Sequence, residues 1–413
     1  MKGLDMARRS VIGGGLAIGA AASLPAIGAA QITAPALPPA IARPERLARL
    51  ATARALMQRH GIGAILVEAG ASLDYFTGVQ WRRSERLTAA VIPATGDPII
   101  VTPFFEKPSV EESLGIPAEV RVWQEDQEPL QLVADFLAER GVARLPIGFE
   151  ETVRFFALDK LKAVMPAAAV VSANPVVRGC RMFKTPAEIR LMQAATDITI
   201  AAIRDTHTKL RAGMTPGAIG AMLKASMVER GGTDPWALVL LGEASAYPHG
   251  TGKPQAVRRG EVVLIDTGCA VHGYQSDVSR SFVFGEANAE QRRVWEQVAQ
   301  GQKIAFAAAK IGVAAGSVDD AVRAAYTRWG YGPDYQLPGL SHRTGHGIGM
   351  EGHEPVNLVR GETERLAPGM CFSNEPGLYL PGKFGIRLED CFHMTAAGPR
   401  YFSTPPASID APV

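Results

Sequence analysis

The chain has 413 residues, 47% of them hydrophobic, which is enough for two or three domains with sizeable cores. Its formal net charge is +2, and all of that excess sits in the first thirty residues, where Lys2, Arg8 and Arg9 face only Asp5. The remainder is charge-balanced and has no basic run interleaved with aromatics, which argues against nucleic acid or another polyanion as the working ligand.

Residues 1–30 read as an export signal: Arg8-Arg9, a Gly/Ala-rich apolar run from Val11, then Gly28-Ala29-Ala30 as a small-residue cleavage site before Gln31. The adjacent arginines point to the twin-arginine route and a periplasmic destination, with no stable membrane insertion after cleavage. A Pro-rich linker over 31–43 follows.

From 44 to 175 helical and strand patterns alternate, so an α/β domain of its own is expected there. The patterns predict helices at 45–60, 128–140 and 159–163, and strands at 64–68, 88–93, 98–102 and 145–149. Residues 176–186 read as a charged connector. It ends in Thr185-Pro186, where Thr185 is the N-cap of a long helix, Pro186 its first position and Glu188 the capping-box partner. A second helix is expected from Pro216 to Glu229, then strands at 237–241 and 261–266. Two more helices, at 289–310 and 317–329, repeat that order before a further set of strands. Residues 176–405 are thus expected to form a pseudo-repeated α+β domain around a curved antiparallel sheet.

Two acidic pairs sit at hairpin spacing in this second domain. Asp266 and Asp277 lie on strand-like runs joined near Val271 to Gly273, which sets them opposite or diagonal to each other. Glu375 and Glu389 are symmetric about Gly382 in a Pro-Gly turn. Like charges on opposed strand residues destabilise a sheet unless something positive lies between them. Between the pairs runs HRTGHGIGMEGHE, with His342, His346 and His353. Carboxylates with an imidazole suit two divalent ions of the Mn, Zn, Co or Fe type and hence a hydrolase, although spacing alone does not separate the three histidines. Gly345, Gly347 and Gly349 copy part of a dinucleotide fingerprint without its βαβ setting. The four cysteines, Cys180, Cys269, Cys371 and Cys391, have no CxxC spacing and are expected as buried free thiols, with Cys371–Cys391 the one pair to consider for a disulfide.

From about Lys184 to Met394 these motifs resemble the creatinase/aminopeptidase P/prolidase group of metallopeptidases, the M24-type pita-bread fold: IDTG, SDVSRSF, HRTGHGIG, SNEPGLY and IRLED fill all five metal-ligand positions. Residues 44–175 look like the creatinase-like N-terminal domain of that group. The resemblance implies hydrolysis of Xaa-Pro bonds, of the aminopeptidase P or prolidase type, with two divalent ions, manganese first, and a bridging water as nucleophile. It makes Asp266 a terminal ligand of one ion and His346 of the other, with Asp277 and Glu389 bridging and Glu375 both ligand and general base. His249 in AYPHGTG matches the histidine near the scissile bond, and His353 the one steadying the carbonyl or oxyanion. His342 and Arg387 match positions lining the proline-side pocket. A small peptide substrate and a homodimer or homotetramer are implied, with Trp81-Arg82-Arg83 placed near a neighbouring subunit's site. The competing readings are a non-peptidase of the same fold acting on another small amide, and a non-catalytic binding module. Creatinase-like members lack the metal ligands, and the sulfonium-lyase relatives carry an aspartate where this chain has Gly268.

Overall fold

The computed structural model describes residues 36–413. The expected signal over 1–30 and the first part of the linker lie outside the described residues. The N-terminal elements are α1 (Arg43–His60), β1 (Ala64–Glu68), α2 (Ala71–Thr77), β2 (Ala89–Pro93), β3 (Ile99–Pro103) and α3 (Lys107–Ser113). Then come β4 (Glu119–Trp123), α4 (Pro129–Glu139), β5 (Ile147–Phe149), α5 (Phe155–Val164), β6 (Val170–Ser172) and α6 (Asn174–Arg181).

The six strands form one mixed sheet in the order β4-β3-β2-β1-β5-β6. Its central strands β1, β2 and β3 are buried at every residue, as continuous apolar runs covered on both faces should be. Strand alternation divides β1 between two cores. Ile65 and Val67 pack with Leu50 and Met57 of α1 and Phe76 of α2, whereas Ala64 and Leu66 pack with Leu130, Val133 and Phe136 of α4.

Residues 176–186 are not simply a connector. The chain is helical to Arg181, and Val176, Val177 and Cys180 belong to the α1 core. Arg178 and Arg181 give the segment its charged look, but they lie off that apolar stripe: Arg178 pairs with Glu151, and Arg181 with Glu351 and Glu354. Strands β4 and β6 were also hidden in the sequence, because only one of their eight residues is buried and their apolar pattern is weak.

The second set of elements is α7 (Pro186–Lys209), α8 (Pro216–Glu229), β7 (Thr233–Leu241), β8 (Val262–Val271), β9 (Tyr274–Gln275), β10 (Val278–Val283), α9 (Ala289–Ala308) and α10 (Gly316–Arg328). It closes with β11 (Gly345–Gly347), β12 (Glu354–Leu358), β13 (Cys371–Phe372), β14 (Gly377–Leu380), β15 (Phe384–Arg387), β16 (Phe392–Thr395) and β17 (Gly398–Tyr401). The Thr185/Glu188 capping box forms at the start of α7.

Each helix pair covers its own half. Leu191 and Ile203 of α7 and Leu223 of α8 pack on Val263 and Ile265 of β8. Val294 and Trp295 of α9 and Val318 and Val322 of α10 pack around Phe372 and Phe392. Instead of one continuous curved sheet there are three hydrogen-bonded ladders: β10-β8-β7 with β9 on β8, β12-β11-β13-β16-β17, and the hairpin β14-β15. Side-chain and isolated backbone bonds stitch them together. Ser281 Oγ accepts from Arg387 N at 3.0 Å and donates to Arg387 O at 2.9 Å, and Glu389 N donates to Ser279 O at 3.0 Å.

The N-terminal and C-terminal parts meet through buried polar groups. Arg49 of α1 lies 3.3 Å from Glu188 and donates to the Tyr274 hydroxyl at 2.9 Å. Among the described residues no helix is long and apolar enough to cross a membrane.

Candidate metal centre

Both hairpins bring their acids together. In β8–β10, Ser279 is the register partner of Asp266, so Asp277 stands diagonal to Asp266. Gly268 faces this turn with no room for a side chain: a Cβ there would sit 2.0 Å from Ser276 O. An aspartate at that position is therefore incompatible with this backbone. In β14–β15 the register Gly377↔Arg387 is symmetric about Gly382, and Asp390 N reaches Asn374 O at 3.4 Å beyond it. Glu375 and Glu389 are thus carried to the same end of the hairpin. Strand β11 supplies His346 between two glycines, and a Cβ at Gly345 would lie 2.1 Å from Ser373 O, so only glycine lets this strand approach β13.

The result is two overlapping groups of three. Asp266, Asp277 and Glu389 offer atoms within 4.8 Å of one another, as do His346, Glu375 and Glu389, so Glu389 is common to both. Asp277 also stands within that distance of His346 and His353. His346 Nδ1–H donates to Gly347 O at 3.0 Å, which leaves the Nε2 lone pair facing Glu375 Oε1 at 3.3 Å and Asp277 Oδ2 at 3.8 Å.

Burial, with His353 and Arg343 nearby, pushes the His346 pKa down to about 3, so this imidazole is neutral and cannot balance the acids. Burial, then repulsion from Glu389, Asp266 and Glu375, raises Asp277 well above the usual carboxylate range. Glu389 is raised likewise by burial and by Glu375 and Asp266, and burial lifts Glu375 to about 7 against the pull of Arg387. Asp266 Oδ1, Asp277 Oδ1 and Glu389 Oε1 are buried with no hydrogen-bond partner. Buried polar atoms are almost always paired, so three carboxylate oxygens without a protein partner pointing into one cluster fit a bound cation. A donor set of carboxylates and one imidazole matches divalent transition metals.

The surrounding residues hold the acids in place. Arg387 Nη2 donates to Asp266 Oδ2 at 2.6 Å, and its Nε donates to Ser279 Oγ, which in turn donates to Glu389 Oε2 at 2.8 Å. Arg387 therefore orients Asp266 directly and Glu389 only through Ser279. Arg387 Nη1 also donates to the Tyr379 hydroxyl at 3.1 Å, which donates to His342 Nε2 at 2.8 Å. Burial holds His342 near 3, so it stays neutral. Behind the cluster, buried Arg280 donates to Glu389 O at 2.8 Å and pairs with Asp390 at 2.7 Å.

All nine sequence-derived residues line one cavity of about 810 Å³. His249 and His353 stand exposed at its wall, and the His353 ring lies 4.0 Å from that of His346. Trp236, Gln275, Arg343 and Glu351 also line it. Ser279 was detectable as the alternate residue after Asp277, but Tyr379 and Arg343 carried no spacing signal. All four cysteines are buried and free, so Cys371 and Cys391 do not pair.

Residues 190–396 match the model of metallopeptidase family M24, and residues 49–183 match the creatinase/prolidase N-terminal domain. The chain belongs to metallopeptidase family M24. It is 33% identical to the probable dipeptidase PepE of Mycobacterium tuberculosis over 85% of this chain and 92% of that protein. It is 31% identical to the Xaa-Pro dipeptidase of Lactobacillus helveticus over 80% of this chain and 90% of that one. Among solved structures, dipeptidase PepE from Mycobacterium ulcerans superposes with a TM-score of 0.80 at 30% identity, covering 90% of this chain and 98% of that chain. The prolidase of Thermococcus sibiricus gives 0.79 at 27% identity, covering 86% and 96%. The family assignment and these neighbours agree with an α+β pita-bread catalytic domain behind a creatinase-type N-terminal domain.

Proposed function

We propose that this M24 chain hydrolyses peptide bonds that precede proline, using two divalent metal ions held by Asp266, Asp277, His346, Glu375 and Glu389. The observation that carries the reading is the pair of three-residue groups sharing Glu389, with orphaned oxygens and a free imidazole lone pair converging on one point. When bound, such ions polarise a carbonyl and make water nucleophilic at neutral pH.

The chain's own residues do the rest. Glu375, at the cavity wall, takes the proton from the attacking water and passes it to the leaving nitrogen. His353 and His249 stand exposed at the cavity, positioned to meet the scissile carbonyl and its nitrogen. His342 and Arg387, tied through Tyr379, form a rigid wall for a proline ring. A proline nitrogen carries no hydrogen to donate, so shape must replace amide recognition. The names of the relatives support splitting of dipeptides over removal of a first residue from longer chains.

The donor set fits manganese, with cobalt, zinc or iron as substitutes. Export by the twin-arginine route rests on Arg8-Arg9 and Gly28-Ala29-Ala30. Assembly as a homodimer or homotetramer would set the exposed Arg82, beside Asp234 at 3.4 Å, toward a neighbouring subunit.

The test is an assay of metal-loaded mature protein on Xaa-Pro dipeptides, Xaa-Pro-Yaa tripeptides and Xaa-Ala controls. Proline peptides should be cleaved well and alanine controls much less. Equal turnover of both moves the chain to another specificity, and activity without any bound transition metal removes the metal assignment.

A further inference from the structure

Glu375 and Glu389 stand on opposite arms of the β14–β15 hairpin but outside its ladder, which ends at the pair Gly377 and Arg387. Beyond that pair Asp390 N reaches Asn374 O only at 3.4 Å. The ladder by itself therefore sets the spacing of the two carboxylates loosely, although both belong with His346 to one donor group. Helix α9 supplies the missing tie. Gln302, 2% exposed, sends its side-chain amide between the two arms, where Nε2 donates to Asn374 O at 3.2 Å and to Asp390 Oδ2 at 2.9 Å. A backbone carbonyl and a carboxylate paired with Arg280 both call for a donor, which fixes the amide nitrogen on this side. Asn374 returns a bond, from Nδ2 to Gln302 O at 2.9 Å.

The clamp falls one residue from each glutamate. The Asn374–Glu375 peptide unit is held at both ends, its carbonyl by Gln302 and its N–H by Thr344 O at 2.9 Å. Across the hairpin, Asp390 accepts from Gln302 on Oδ2 and from Arg280 on Oδ1 at 2.7 Å, and Arg280 also donates to Glu389 O at 2.8 Å. We propose that Gln302 is a positioning residue of the metal centre: by bridging Asn374 and Asp390 it sets the separation of Glu375 and Glu389, and so the affinity of the donor group they complete with His346. This rests on the metal-centre reading above, because it assigns what holds two of those ligands in register. Groups that orient metal ligands typically carry about 10–100-fold in metal affinity or activity. Loss of the amide strands no buried charge, since Asp390 keeps its bonds from Arg280 and Ser403.

Metal-free protein is titrated with cobalt(II), followed by calorimetry and by the visible absorption of the bound ion, for wild type, Gln302→Leu, Gln302→Met and Gln291→Leu. Gln291 is the control on the same helix: it is buried, and its Nε2 donates at 2.8 Å to the carbonyl of Gly260, a residue of neither arm. In Gln302→Leu and Gln302→Met the affinity for one equivalent of cobalt should fall by at least about tenfold, and the visible spectrum of the bound ion should shift. At saturating cobalt, kcat on an Xaa-Pro dipeptide should fall while KM changes little, because Gln302 does not line the cavity and the substrate's own contacts are left in place. Gln291→Leu should lower the melting temperature yet leave cobalt affinity, spectrum and kcat as in wild type. Cobalt affinity and spectrum unchanged in a folded Gln302 variant, or an equal loss of affinity in Gln291→Leu, overturns the positioning role while leaving the metal-centre reading intact. Wild-type protein that binds no cobalt overturns the metal-centre reading itself.

Discussion

Replacing Glu354 by glutamine should cost the fold about 3 kcal/mol, because this one carboxylate balances two buried cations. Glu354 is 4% exposed and accepts from Arg181 Nη2 at 2.5 Å, Lys184 Nζ at 2.9 Å and the backbone N–H groups of Met350 at 2.9 Å and Glu351 at 3.1 Å. Burial alone would push its pKa up, yet Arg181 and Lys184 outweigh burial and hold it at about 2. A drop from an ordinary 4.5 to about 2 corresponds to about 3 kcal/mol at 1.36 kcal/mol per pKa unit. The folded pKa is depressed, so this stabilisation is complete above the unfolded value and is lost as pH falls from about 4.5 toward 2. At pH 7 the substitution removes all of it. Glutamine keeps the shape but leaves Lys184, itself buried, without its carboxylate. Breaking a buried pair from one side typically costs about 3–5 kcal/mol, the same range. The assay is urea unfolding of wild type, Glu354→Gln and Glu351→Gln at pH 7. The Glu351 carboxylate is 45% exposed, so its loss should cost no more than about 1 kcal/mol. Glu354 follows His353, so kcat should fall together with stability in Glu354→Gln alone. A Glu354→Gln loss below about 0.5 kcal/mol would refute the claim that the helix-end cations and the His353 loop are coupled through this buried charge.

Removing the metal should make stability pH-dependent in the opposite direction. The raised pKa of Glu375, about 7, and those of Asp277 and Glu389 mean that the metal-free fold holds protons the unfolded chain has lost. Chelated protein should therefore lose stability as pH rises from about 4.5 to about 7, and added manganese should abolish the slope; unfolding titrations with and without chelator check this. Glu375→Gln should retain bound metal but lose at least about 10²-fold in rate, read by elemental analysis beside steady-state kinetics. Burial lifts the Cys180 and Cys371 thiols to about 12, so a thiol reagent should modify native protein slowly and all four cysteines rapidly after unfolding.

Much of the site could be read along the chain because its geometry is local. A hairpin register depends only on where its turn sits, so Gly382 tied position 375 to 389 and the His272-Gly273 turn tied Asp266 to Asp277 before any tertiary contact was known. The capping box at Thr185 and Glu188 is likewise a four-residue matter. The helix at 174–181 escaped notice because its apolar face is three residues wide and flanked by arginines whose partners, Glu151, Glu351 and Glu354, lie far away in sequence.

His346 was singled out among the three histidines by the family resemblance, whereas the sequence by itself determined the four candidate carboxylate ligands, the pairing of the acids within each hairpin and the alternation of helix pairs with strands. These follow from strand and helix periodicity, which is a property of neighbours in the chain. Only the tertiary structure decided that Glu389 is shared between two donor groups, that Arg387 grips Asp266 directly and reaches Glu389 only through Ser279, and that Arg343 lines the cavity bonded to the neutral Asn357. Each of these depends on how separate ladders are stacked, and stacking is set by the packing of the whole α+β core, which no local period records.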